Sequence, residues 1–202
     1  PRSTLFPYTT LFRSVGVSQR PNDPLEKGVV FRTVDGGRSW KQIDKGAENA
    51  GVIFAVEFES RSTGFAASDT GVWKTTDGGE SWILVYESKV EQLFDVALID
   101  REVWAAGSNG TIVSSKDSGK TWNKALLPAD LAEFWFARIT ADPSGRLWVL
   151  GGLSGENAVL TSSSGGRSWR RETVTNSSGF LRSIAFPNAN CVVLTGATDL
   201  LM

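Results

Sequence analysis

"TTDGGESW", Thr75 to Trp82, is the stretch that decides the fold, because close copies of it recur along the chain. It reads "TVDGGRSW" from Thr33 to Trp40, "SKDSGKTW" from Ser115 to Trp122 and, in a degenerate form, "SSSGGRSW" from Ser162 to Trp169. The closing tryptophans are 42, 40 and 47 residues apart. A repeat of roughly 40–45 residues, in a chain of short β-type runs, predicts the blades of a propeller.

The segments between the motifs repeat as well. "IFAVEF" (Ile53 to Phe58), "LFDVAL" (Leu93 to Leu98), "FWFARI" (Phe134 to Ile139) and "LRSIAF" (Leu181 to Phe186) occupy one phase. Each is followed by "GFAAS", "VWAAG", "LWVLG" or "VVLTG", then by "GVWKT", "TIVSS" or "AVLTS" leading into the motif, and a last strand follows it. Runs of five or six residues rich in Val, Ile, Phe and Trp, bounded by Gly, Asp, Asn and Ser, read as strands. The expectation is an all-β propeller of four-stranded antiparallel blades. Three are complete, at about residues 50–86, 90–126 and 131–173, with partial blades at about 15–44 and 178–202.

Every position of the motif has a task in a tight hairpin between the third and fourth strands. Asp35, Asp77 and Asp117 accept hydrogen bonds from backbone N–H groups across the turn. Gly37, Gly79, Gly119 and Gly166 supply positive φ. Trp40, Trp82, Trp122 and Trp169 place their indoles beside a neighbouring strand. The fourth copy has Ser164 in place of the aspartate. One carboxylate per motif is too few for calcium, which takes several oxygen ligands, so the motif is read as structural and no metal is assigned.

Composition narrows the chemistry further. The chain has 202 residues, with 21 basic against 22 acidic, which gives no electrostatic case for nucleic acid. It has no His and one Cys, Cys191, so a Ser-His or Cys-His catalytic pair, a zinc site and an internal disulfide are all excluded within it. No apolar run approaches the ~20 residues of a membrane helix. No cofactor is expected.

The first fourteen residues, "PRSTLFPYTTLFRS", have no echo elsewhere in the chain. Back-translated, they resemble a common short-read sequencing adapter along their whole length. The expectation is that 1–14 is artefactual and contributes nothing to the fold, with the first strand lying after Ser14 and the natural N-terminus and any signal peptide outside the chain.

The S/T-x-D-G-G-x-S/T-W pattern resembles the Asp-box family, the bacterial neuraminidase repeats of the sialidase superfamily. With its upstream "GFAAS" and "VWAAG" strands it looks most like propellers similar to photosystem II stability/assembly factors. The resemblance implies a non-catalytic binding or assembly protein of bacterial origin, exported to the periplasm or cell exterior, with a protein or carbohydrate partner. The alternative it leaves open is a sialidase- or xyloglucanase-like glycoside hydrolase. Sialidases use a Tyr nucleophile with an arginine triad. Here Tyr86 is on a last strand and only Arg138 and Arg182 lie in or beside innermost strands.

In a propeller the first strand of each blade is innermost, and the motif turns share a face with the first-to-second turns. Ligand loops are expected on the opposite face, at Glu48 and Asn49, at 87–92, at 130–133 and at 151–158. The last is read as the longest second-to-third loop, with Gly151, Gly152, Ser154, Glu156 and Asn157 as candidate binding residues whose substitution weakens binding and spares stability. Glu57 and Asp95, in first strands, are candidates to face the channel.

Overall fold

The computed structural model describes residues 13–14, 29–43, 45–174, 180–188 and 191–197. The described residues are all β apart from one single-turn 3-10 helix, Ala129–Leu131. Three four-stranded antiparallel sheets follow one another along the chain. The first is β4 (Ile53–Phe58), β5 (Gly64–Ser68), β6 (Gly71–Thr75) and β7 (Ile83–Glu87). The second is β8 (Leu93–Ile99), β9 (Glu102–Gly107), β10 (Ile112–Ser115) and β11 (Asn123–Lys124). The third is β12 (Trp135–Ala141), β13 (Leu147–Leu153), β14 (Glu156–Ser162) and β15 (Arg170–Glu172). Before them lies a three-stranded sheet of β1 (Arg13–Ser14), β2 (Val30–Arg32) and β3 (Lys41–Ile43), and after them the pair β16 (Phe180–Asn188) and β17 (Cys191–Ala197).

The cores lie between consecutive sheets, and strand alternation builds them. On β5, Phe65 and Ala67 pack forward against Leu93, Val96 and Val103, whereas Ala66 packs back with Ile53 and Val30. On β9, Val103 and Ala105 face the sheet before, and Trp104 and Ala106 face Phe136, Ile139 and Val149 of the sheet after. On β13, Val149 and Leu150 divide in the same way, Leu150 meeting Leu181. The middle strands are therefore apolar on both faces, which is why "GFAAS" and "VWAAG" are buried almost throughout. Sheets stacked face to face with the first strand of each beside the first strand of the next make an arc of β-propeller blades.

Three sequence expectations change. Within 1–14, Arg13 and Ser14 pair with Phe31 and Val30, so that segment contributes two residues of strand to the fold. Without β1, β2 would be an edge strand, whose N–H and C=O groups on that side accept an extended segment of suitable reach. The remainder of the segment lies outside the described residues.

The second change is the phase of the third blade. The sequence aligns "FWFARI" with "LFDVAL", but strand pairing sets Phe136, not Phe134, where Leu93 stands. Leu93 faces Gly107, Phe136 faces Gly151 and Leu181 faces Gly196. A Cβ on any of these glycines would lie 1.9–2.1 Å from the carbonyl oxygen of Gln92, Trp135 or Phe180. The backbone approach decides the register, and hydrophobic pattern alone cannot see it.

The third is the supposed loop at 151–158. Gly151 and Gly152 are buried in β13, Glu156 and Asn157 begin β14, and only Ser154 and Gly155 form the turn. Continued pairing of Gly151 with Ala158, Gly152 with Asn157 and Leu153 with Glu156 satisfies backbone groups that a loop would leave to water.

Candidate functional site

The three aspartate-bearing motif turns assemble alike. In the second copy the Thr75 hydroxyl donates to Asp77 Oδ1 (2.8 Å) and accepts from Gly79 N–H (2.8 Å), while Asp77 takes Ser81 N–H (2.9 Å) and the Ser81 hydroxyl (2.5 Å). Copies one and three repeat these bonds through Thr33, Asp35 and Ser39 and through Ser115, Asp117 and Thr121. The bonds stabilise the ionised aspartates, led by those from Ser39, Ser81 and Thr121, and hold all three below the usual carboxylate range, Asp77 at about 2. In copy four the smaller Ser164 still accepts Ser168 N–H at 2.9 Å, and Ser162 still accepts Gly166 N–H at 3.0 Å. Ser118 adopts a left-handed φ of +58°, as Gly36 and Gly78 do at +73° in their copies.

The buried polar member is the first residue, not the aspartate. Thr33, Thr75, Ser115 and Ser162 are all at most 2% exposed, whereas Asp77 is exposed. Thr75→Val should therefore cost about 2 kcal/mol by stranding the buried Gly79 N–H, and Asp77→Ala about 1 kcal/mol because water replaces its contacts. Urea midpoints for the two variants test this, and the reverse order would refute it. Gly78 N–H also donates to Ser62 O of the first-to-second turn (2.8 Å), which sets the motif on that face.

The opposite face is knitted by cross-blade bonds. Gln92 Nε2 donates to Asp69 Oδ1 of the preceding blade (2.6 Å) and Gly110 N–H to Phe134 O at the entry of the next (2.8 Å), while Gln92 N–H donates to the Ser108 hydroxyl of its own blade (2.9 Å). Within 87–92, Glu91 pairs with Lys124 at 2.8 Å. In 130–133, Asp130 lies 3.7 Å from Arg171. Glu48 accepts Gly46 N–H, and Asn49 is exposed beside it. Of the expected ligand loops, 87–92 bonds across to the preceding blade through Gln92, while Glu91, Asp130 and Glu48 are held by partners in their own blade or turn.

The inner wall is built from the first strands. Each carries an irregularity at the same register, between Ile53 and Ala55, Leu93 and Asp95, Phe136 and Arg138, and Leu181 and Ser183. Such bulges re-aim side chains. Asp95 and Arg138 thus hold equivalent places on adjacent blades and meet, Arg138 Nη1 lying 3.4 Å from Asp95 Oδ1. Asp95 Oδ2 accepts Ile139 N–H at 2.9 Å, joining β8 to β12. Arg182 takes the bulge position on β16 and is exposed. A cleft of about 610 Å³ runs along this wall, lined by Phe54, Glu57, Asp95, Asp100, Arg138 and Asp142 among others. Glu57 and Asp95 do line the inner wall; Tyr86 is remote from it, packed on Trp122 at 5.5 Å.

Burial raises the Asp95 pKa to about 6 against the opposing Arg138 charge and Ile139 N–H. A carboxyl with a raised folded pKa binds its proton more tightly folded than unfolded, so its ionisation lowers stability as pH rises from about 4 to about 6. The motif aspartates act in the opposite sense and only below about pH 4, where acid removes their contribution. The melting temperature should rise on acidification from about pH 7 to about 5, and Asp95→Asn should flatten that rise. An unchanged profile in Asp95→Asn would exclude Asp95 as its source.

Sequence reasoning missed an aromatic stripe. Phe54, Phe94 and Trp135 stand at the starts of β4, β8 and β12, with ring centroids 5.1 Å apart (edge-on) and then 5.9 Å apart (tilted). Phe54 and Trp135 are 38% and 49% exposed and Phe94 half-buried, so the stripe is continuous apolar surface across three blades. All three lie in the quoted repeat segments, but by strand pairing Phe54 and Phe94 follow Ile53 and Leu93 whereas Trp135 precedes the equivalent Phe136, so sequence position alone does not group them.

The hairpin at Ser154 borders a separate hollow of about 600 Å³, lined also by Arg171 and Glu172. There Arg171 donates to Glu156 Oε1 (2.5 Å) and Asn157 O (2.9 Å) and lies over the Phe134 ring.

No family model matches the chain. It is 24% identical over 172 residues to the photosystem II assembly lipoprotein Ycf48 of Prochlorococcus marinus, covering 81% of this chain and 48% of that protein. The chain spans about half the length of the curated relatives it matches. Among solved structures it is similar to YCF48 from Cyanidioschyzon merolae, with TM-score 0.60 and 19% identity over 85% of this chain and 62% of that one. It is also similar to the GH74 xyloglucanase from Xanthomonas campestris, with TM-score 0.64 and 13% identity over 86% of this chain and 31% of that one. The structural likenesses establish the β-propeller.

Proposed function

We propose that this chain acts as a non-catalytic binding propeller of the photosystem II assembly-factor kind, engaging a protein client at the inner-strand cleft. The observation that carries the reading is the state of two of the four cleft acids, Asp95 and Asp142, the other two being Glu57 and Asp100. Asp95 has both oxygens engaged by Arg138 and Ile139 N–H. Asp142 has one oxygen on Ser144 and Arg146 N–H and the other on Trp148 Nε1. Retaining and inverting glycosidases need two carboxyl groups presented to one substrate, and these two hold the wall instead. The names of the relatives support the same reading, and "lipoprotein" supports a place on the outer side of a membrane. No helix among the described residues is long and apolar enough to cross one.

Peptides tiled across photosystem II core subunits should bind the purified chain saturably, and xyloglucan and sialyl oligosaccharides should release no reducing sugar with it. Turnover of either sugar, lost on Glu57→Gln, would replace this reading with the hydrolase one.

A further inference from the structure

The cleft and the aromatic stripe form one surface. Phe54 lines the cleft and packs edge-on against Phe94, which contacts Trp135, so the apolar surface continues from the inner wall to the rim. The ring planes decide what kind of group can lie there. Phe54 and Phe94 are 85° apart and Phe94 and Trp135 45° apart. A sugar chain needs ring faces turned to a common plane. Phe54 and Phe94, set edge to face, and Phe94 and Trp135, tilted, share no such plane and offer apolar contact to separate aliphatic side chains instead.

The charges decide its sign. Of the ionisable residues lining the cleft, Glu57, Asp95, Asp100 and Asp142 are acidic and Arg138 alone is basic. Arg138 is already turned to Asp95 at 3.4 Å, so the wall keeps a negative excess beside the stripe.

We propose that this surface binds an extended protein segment in which aliphatic side chains alternate with Lys or Arg. The aliphatic side chains pack along Phe54, Phe94 and Trp135, and the cation lies against Glu57. The inference rests on the protein-binding reading above and adds the sign and the apolar spacing of the client.

The test uses the whole chain and two labelled peptides of equal length, one alternating Leu with Lys and one alternating Leu with Glu, read by fluorescence anisotropy. The Leu-Lys peptide should bind about tenfold more tightly than the Leu-Glu peptide, and the difference should shrink as salt is raised. Glu57→Gln should reduce the difference between the peptides, and Phe94→Ala should weaken the Leu-Lys peptide about tenfold. Circular dichroism melts confirm that both variants fold, and Glu57→Gln, on a half-exposed side chain, serves if Phe94→Ala does not. Equal or tighter binding of Leu-Glu overturns the charge assignment and leaves the protein-binding reading standing. Unchanged binding in folded Phe94→Ala overturns the stripe. If neither these peptides nor the tiled ones bind, both readings fail together.

Discussion

Gly151→Ala should destabilise the chain by about 3 kcal/mol or more, although the sequence places Gly151 in a surface loop. Its added Cβ would lie 1.9 Å from Trp135 O and 2.8 Å from Trp135 C, with Phe136 Cα at 2.9 Å. All three atoms are backbone of the paired strand β12, so no side-chain rotation relieves the contact. The strands must separate, and the hydrogen bonds between β12 and β13 lengthen with them. The same approach recurs at Gly107 against Gln92 O, so Gly107→Ala should behave alike. Glu156→Ala, at the far side of the hairpin, removes an exposed ion pair with Arg171 and should change stability by less than about 1 kcal/mol. Urea unfolding of the three variants separates the cases. Wild-type stability in Gly151→Ala would mean that the register given for the third blade is wrong.

Trp82→Ala should cost about 3–5 kcal/mol, while Trp40→Ala, at the same position of the repeat, should cost about 1 kcal/mol. Trp82 is 2% exposed and packs with Val30, Ala47, Ala50 and Ile53, its indole edge-on to Phe58 at 6.2 Å. Its backbone N–H donates to Lys45 O, so it joins its own blade to the preceding segment. Trp40 is 43% exposed and its indole donates to Gly37 O of its own turn, which holds the ring locally. Equal losses in the two variants, measured as urea midpoints with an unchanged slope, would show that the motif tryptophan acts only within its turn.

Charge pairing across the wall illustrates the limit of the sequence. Asp95 and Arg138 were each visible as ionisable residues in or beside first strands, but nothing in their spacing joined them. Their meeting requires both bulges and the stacking of β8 against β12. Phe54, Phe94 and Trp135 stood in the quoted segments, yet their merging into one stripe depends on the same stacking.

By itself the sequence determined the repeat, the four-stranded unit and the chemistry of the turn. The turn closes within a few residues, since Thr75, Asp77, Gly79 and Ser81 satisfy one another inside a single hairpin, and the recurrence of that turn at intervals of 42, 40 and 47 residues carries the repeat and its unit. Tertiary structure alone decided the register of the third blade, the burial of Trp82 against the exposure of Trp40, and the engagement of Asp95. Each of those depends on how closely a neighbouring backbone or blade approaches, and that distance is set by contacts from residues far apart in the chain.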